Sequence, residues 1–178
     1  MSRRHLLPRR WLMTDERLGG RLLEAVQRLP PRRAGIVFRH YGLSEPERRA
    51  LFEQVKTVAR RRGLVLLLAG PAAQARAWGA DGSHGRDRGV GLRTAPAHDS
   101  RELRAAERAR AALVFLSPVF PTSSHPGAPA LGPTGFARLA RRSRLPVVAL
   151  GGMSAERARI LRGAYGWAGI DAWSQDEA

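Results

Sequence analysis

The chain contains no cysteine, which removes disulfide scaffolds, thiolate zinc sites and cysteine nucleophiles at once. Lysine is nearly missing too: Lys56 stands alone beside 30 arginines. Aromatic residues are only 6% of the chain, too few for the stacking platforms of single-strand nucleic-acid binders. No apolar run approaches the ~18 residues of a membrane-crossing helix, and the longest, Leu64 to Gly70, suits a buried strand. The opening Met1-Ser2-Arg3-Arg4-His5 leads into no signal-like apolar stretch. A cytoplasmic protein without a membrane partner is therefore expected.

What is present is enough for one domain. The chain has 178 residues, 43% of them hydrophobic, so a single unit over 1–178 with a sizeable core is expected. Acidic residues number 15 against 31 Lys and Arg, giving a formal charge of +16. Such a charge invites nucleic acid. The arginines are nevertheless spread over nearly every segment, at places that read as outer helix faces (Arg48, Arg49, Arg101, Arg104, Arg108). A solvated, arginine-rich surface is the expectation, not a dedicated nucleic-acid partner.

Short apolar runs alternate with helical patterns along the whole chain. Eight strands are predicted: Trp11–Thr14, Gly35–Arg39, Leu64–Leu68, Asp81–His84, Val90–Arg93, Leu113–Leu116, Val147–Leu150 and Ala168–Trp173. Helices are predicted over Arg21–Leu29, Glu45–Arg61, Ser100–Arg110, Phe136–Arg142 and Ala155–Leu161, with a brief one near Pro71–Trp78. Ser44, Pro46 and Glu47 form a capping-box signature for the second helix, and Asp99 and Ser154 precede two others as caps. Strand–helix alternation implies parallel pairing through right-handed crossovers. Eight units fit an α/β fold with a single compact (β/α)₈ barrel. A doubly wound open sheet is the alternative.

Several turns carry chemistry. Leu150-Gly151-Gly152-Met153-Ser154 runs from strand seven into a helix, where glycine amides and a helix N-terminus favour an anion. Ser174 follows strand eight, and in such barrels these two loops often hold phosphate; a plain strand-to-helix turn would read the same way. His98 ends the fifth unit and would face the barrel mouth as an acid/base, or it merely enters the helix beside Asp99. Arg39, at the end of strand two, suits a bidentate phosphate contact, though with 30 arginines chance competes. Thr122, Ser124 and His125 sit in the Pro/Gly/Ser-rich stretch Pro118–Pro133, either a lid or a surface loop.

In this order these segments resemble the thiamine phosphate synthase family, which includes the TenI-like thiazole tautomerases. The stretches that carry the resemblance are Leu12-Met13-Thr14-Asp15, Gly79-Ala80-Asp81-Gly82-Ser83-His84, Pro96-Ala97-His98, Ser117-Pro118-Val119-Phe120-Pro121-Thr122, Pro146 to Met153, and Gly169 to Ser174. The resemblance implies a (β/α)₈ barrel of thiamine biosynthesis that binds hydroxyethylthiazole phosphate. In the synthases this ligand is joined to hydroxymethylpyrimidine diphosphate with Mg2+, releasing pyrophosphate. Thr122, Ser124, Gly151, Gly152 and Ser174 match the thiazole-phosphate half, and His98 aligns with the proton-transferring histidine of the tautomerases.

The diphosphate half departs from the pattern. The Gln-x-Arg-x-Lys of strand two reads Val37-Phe38-Arg39-His40-Tyr41, and Ala69-Gly70 stands where Asn-Asp is usual. Asp87 is the sole candidate metal ligand, displaced from the usual place, and His125 replaces a lysine. The resemblance thus implies a family protein whose nominal synthase chemistry has a degraded diphosphate and magnesium site. A metal-independent tautomerase or a non-catalytic phosphate-ligand binder are the alternatives.

Overall fold

The computed structural model describes residues 7–122, 127 and 129–173. Eight parallel strands close into a barrel in chain order, with β1 paired to β8. They are β1 (Arg10–Met13), β2 (Ala34–Phe38), β3 (Val65–Ala69), β4 (Gly82–His84), β5 (Leu92–Ala97), β6 (Leu113–Leu116), β7 (Val147–Ala149) and β8 (Gly166–Gly169). Around them lie α1 (Leu22–Arg28), α2 (Glu45–Arg62), α3 (Ala72–Ala77), α4 (Ser100–Arg108), α5 (Gly132–Ala140) and α6 (Ala155–Ile160). The closed barrel settles the choice against an open sheet.

Strand apolarity is continuous because both faces are buried. Trp11, Met13, Val37, Leu67, Phe115 and Val148 fill the barrel, while Leu12, Ile36, Phe38, Leu66 and Leu68 pack outward under the helices. Trp11 is fully buried, donates its indole N–H to the Pro8 carbonyl at 2.8 Å and meets Phe115 edge-on. Its ring occupies the space beside Gly35, where a Cβ would lie 2.3 Å from the indole. Glycine is required at that position.

Three boundaries differ from the sequence reading. β5 starts at Leu92 and continues through Pro96 to Ala97, leaving Val90 exposed in the preceding loop. β8 starts earlier, and Asp171–Trp173 form a 3-10 turn in which Trp173 stacks on Trp167. α5 begins at Gly132, with a proline in its first turn. No helix joins β4 to β5, and that omission with the six-residue α3 lets a short chain close a barrel. No helix among the described residues is long and apolar enough to cross a membrane.

His84 ends β4 inside the barrel, with Nδ1 2.9 Å from the Thr94 hydroxyl. Burial, aided by the charge of Arg39, lowers its pKa from 6.5 to about 4. The unfolded chain therefore takes up this proton more readily than the folded one. Its contribution to stability is complete above about pH 6.5 and is lost as pH falls toward 4. In urea unfolding, the stability difference between the natural protein and His84→Gln should close by about 3 kcal/mol over that range. A pH-independent difference would contradict the assignment.

Candidate functional site

At the C-terminal end of the strands lies a cavity of about 180 Å³, roughly ten times the room one water needs. Arg39, His98, Ser117, Thr122, Gly151 and Gly152 line it, together with Arg17 and Asp171. The structure thus brings five of the nine sequence-derived candidates to one mouth. Ser124, His125 and Ser174 lie outside the described residues.

Gly151 and Gly152 adopt φ of +94° and +59°. A Cβ on Gly151 would lie 2.7 Å from the Pro118 backbone, and one on Gly152 2.5 Å from the Pro121 carbonyl. The segment after β6 is seated on this turn: Val119 N–H donates to Leu150 O (2.9 Å) and Phe120 N–H to Gly151 O (3.1 Å). Arg157 donates to Gly152 O and covers the Phe120 ring at 4.9 Å. Among the described residues, neither glycine N–H has a protein partner. The pair therefore does two things. It admits the covering loop, and it lines the cavity with two residues whose N–H groups are unpaired among the described residues.

Arg39 is fixed by the turn after β1. Its backbone N–H donates to Thr14 Oγ1 (2.9 Å), its Nε–H to Thr14 O (2.8 Å) and an Nη2–H to Asp15 Oδ2 (2.9 Å). Burial lowers its pKa from the ordinary guanidinium value, and Asp15 opposes that shift. Asp15 also pairs with Arg17, which reaches Asp171 at 3.7 Å. Charges alternate along this rim, so an anion here gains from directed N–H groups more than from net charge. His40, with φ of +42°, turns back to hydrogen-bond Thr14 Oγ1 through Nδ1 at 2.9 Å.

Arg48 corrects the sequence reading. Instead of an outer-face residue it is half-buried and donates to the carbonyls of Arg39 (2.8 Å) and Ala69 (2.7 Å). The first turn of α2 lies over the ends of β2 and β3, so this guanidinium ties them together. Ser44 N–H donates to Glu47 Oε2 (3.1 Å) and caps that turn as the capping-box signature implies.

His98 follows β5 directly and lines the cavity, while Asp99 caps α4 by accepting from the Glu102 N–H at 2.8 Å. Glu102 Oε2 lies 2.7 Å from His98 Nδ1 and accepts the His98 N–H at 2.8 Å. A carboxylate only accepts, so Nδ1 carries the proton and Nε2 is the basic nitrogen of the neutral ring. Burial pushes the Glu102 carboxyl up, but the His98 bonds and the Arg86 charge outweigh it and hold its pKa below the usual value. Sequence reading missed Glu102; its spacing, four residues after His98 on a helix capped by Asp99, was the available signal. If His98 transfers a proton, Glu102→Gln should lower turnover about 10–100-fold, part of what a positioned base contributes, without changing ligand affinity. Glu102→Asp should recover some of it. Equal losses in both turnover and affinity would point to a merely structural role.

Asp87 is not brought to the mouth. After His84 the chain turns outward, Arg93 donates to the Asp87 carbonyl (2.8 Å), and the exposed Asp87 lines a separate cavity of about 90 Å³. β3 ends at Ala69-Gly70, which bring no carboxylate, while Asp15 and Asp171 are engaged by arginines. No cluster of three or more metal-ligating side chains exists among the described residues. This donor set does not fit the Mg2+ that the family implies.

The model of the thiamine monophosphate synthase family matches residues 11–173. The chain belongs to that family. A relative from Aquifex aeolicus, provisionally named thiamine-phosphate synthase 2, is 31% identical over 92% of this chain and 96% of its own. Among solved structures, the thiamine phosphate pyrophosphorylase of Pyrococcus furiosus superposes with a TM-score of 0.80 at 22% identity, covering 95% of this chain and 89% of that one. The 2-keto-3-deoxy-6-phosphogluconate aldolase of Zymomonas mobilis shares the barrel (TM-score 0.58, 14% identity, 98% and 85% covered). For a thiamine monophosphate synthase family member, the mouth cavity lies where barrel enzymes carry their chemistry.

Proposed function

We propose that the protein binds hydroxyethylthiazole phosphate, or a tautomer of it, in the mouth cavity and moves a proton on it through His98, without a metal. The observation that carries this reading is the composition of that cavity. Thr122, Gly151 and Gly152, matched to the thiazole-phosphate half, share it with His98, while Asp87 lines the smaller cavity, as does Glu102, which reaches His98 Nδ1 from that side. The phosphate would take the free N–H groups of Gly151 and Gly152 and the remaining guanidinium N–H groups of Arg39. Neutral His98 Nε2 would accept a proton from one ring-system carbon and return it to another atom. The negative Glu102 beside Nδ1 would stabilise the transient imidazolium. Protons and charge balance, and no co-reactant is needed.

The family match over nearly the whole chain favours a second reading, synthase coupling to hydroxymethylpyrimidine diphosphate. Its dissociative chemistry needs cations around the departing diphosphate. Arg86 stands near His98 but is spent on Glu102. The test is turnover by the purified protein, with and without chelator. Chelator-resistant tautomerisation of the thiazole phosphate, with no thiamine phosphate formed, is expected. Chelator-sensitive thiamine phosphate formation would establish the synthase reading instead, and binding without either turnover would leave a non-catalytic binder.

A further inference from the structure

Arginines stand at both ends of the barrel, at the mouth (Arg17, Arg39, Arg48, Arg157) and on the face opposite it. All eight strands run the same way, so strand starts and helix ends share the face opposite the cavity. Acidic residues fall at helix starts: Glu24, Glu45, Glu47, Glu102 and Glu156 all lie in first turns. Arginines fall in last turns. Helix dipoles account for a cation or so per helix end, at about 0.3–1 kcal/mol each. They do not account for the arginine doublets at the entries of β1 and β2, which with the last turn of α2 make one contiguous arc.

That arc runs from β1 to the end of α2. Arg9 and Arg10 enter β1, Arg32 and Arg33 enter β2, and Arg60 and Arg61 close α2; all six are exposed. The three pairs are contiguous. Arg10 lies in register with Ala34 across β1 and β2. The Arg32 N–H donates to the Arg62 carbonyl at 3.0 Å. None of the six forms an ion pair among the described residues. Asp81, at the entry to β4, is instead bonded to the Leu66 N–H at 2.8 Å.

We propose that this arc is a docking surface for the phosphate backbone of a nucleic acid, independent of the ligand cavity at the other end. Arginine is the side chain whose planar fork matches phosphate oxygens bidentately, and adjacent doublets reach several phosphates at once. The exposed large apolar side chains, Tyr41, Val90 and Ile160, all lie outside the arc, which leaves it without a wedge for a lipid surface. It also presents no exposed aromatic for stacking, so recognition is of the backbone and independent of sequence.

The test is fluorescence anisotropy of a labelled DNA duplex and a labelled RNA hairpin against the full chain over a salt series. With about six phosphate contacts the log–log salt slope should be about −5, a loss near 10³-fold between ~50 and ~200 mM salt. The quadruple variant Arg32→Gln/Arg33→Gln/Arg60→Gln/Arg61→Gln should bring the slope to about −2 with an unchanged melting temperature. Arg101→Gln/Arg104→Gln, on α4, should bind as the natural protein does. No binding at low salt overturns the proposal, and so does an undiminished slope in the folded quadruple variant. Equal binding to polyglutamate would reassign the face to acidic peptides. Tighter association with anionic phospholipid vesicles would reassign it to a membrane.

Discussion

If His98 carries the proton as proposed, replacing it by Asn should reduce turnover of the thiazole phosphate by about 10²–10⁴-fold while leaving its binding nearly unchanged. The size follows from the geometry. The imidazole enters the cavity from the end of β5 with one nitrogen committed to Glu102 and the other basic. Asn keeps a polar group but cannot carry the proton. The proposed phosphate contacts lie in a different part of the mouth, at the turn after β7 and Arg39, so affinity should survive. Single-turnover rates and calorimetric affinities separate the two quantities. If affinity falls as far as turnover, His98 is a ligand contact and not an acid/base.

Gly151→Ala should cost about 2–4 kcal/mol of stability and abolish phosphate-ligand binding in whatever remains folded. Two penalties coincide. A φ of +94° lies in a region that an L side chain enters only under strain. The new Cβ would also sit 2.7 Å from the Pro118 Cα, which is backbone and cannot swing away. The loop that donates to Leu150 O and Gly151 O must then lift, and the cavity loses both its cover and its amide wall. Gly163→Ala is an instructive control, since that glycine also has positive φ but its nearest neighbour, the Ala140 Cβ, lies at 3.6 Å. It should show the strain alone. If Gly151→Ala is no worse than Gly163→Ala and still binds, the close approach to Pro118 does not matter.

Much of the barrel was legible because its signals are local. Strands buried on both faces read as continuous apolar runs, and the caps Ser44, Asp99 and Ser154 all open the helices they precede. β5 was misplaced because its sequence, Leu-Arg-Thr-Ala-Pro-Ala, is only partly apolar and ends through a proline. Register with β4 and β6, not hydrophobicity, defines it. Of the candidate residues, Arg39, His98, Gly151 and Gly152, each close to a strand end, and Thr122, in the segment after β6, were legible in the sequence and line the mouth cavity. The groups that fix them were not. Arg48 reads as surface until α2 is laid over the ends of β2 and β3. The Asp171–Arg17–Asp15–Arg39 chain joins the two ends of the sequence only once β8 pairs with β1.

The proposed ligand site works without a metal, and calorimetry tests that directly. Hydroxyethylthiazole phosphate would be titrated into the protein in chelator and again with excess Mg2+. Saturable one-to-one binding with the same affinity in both is the predicted result. Binding that appears only with Mg2+ would mean that a metal site has been assembled from groups the described residues do not bring together, and would contradict the metal-free site.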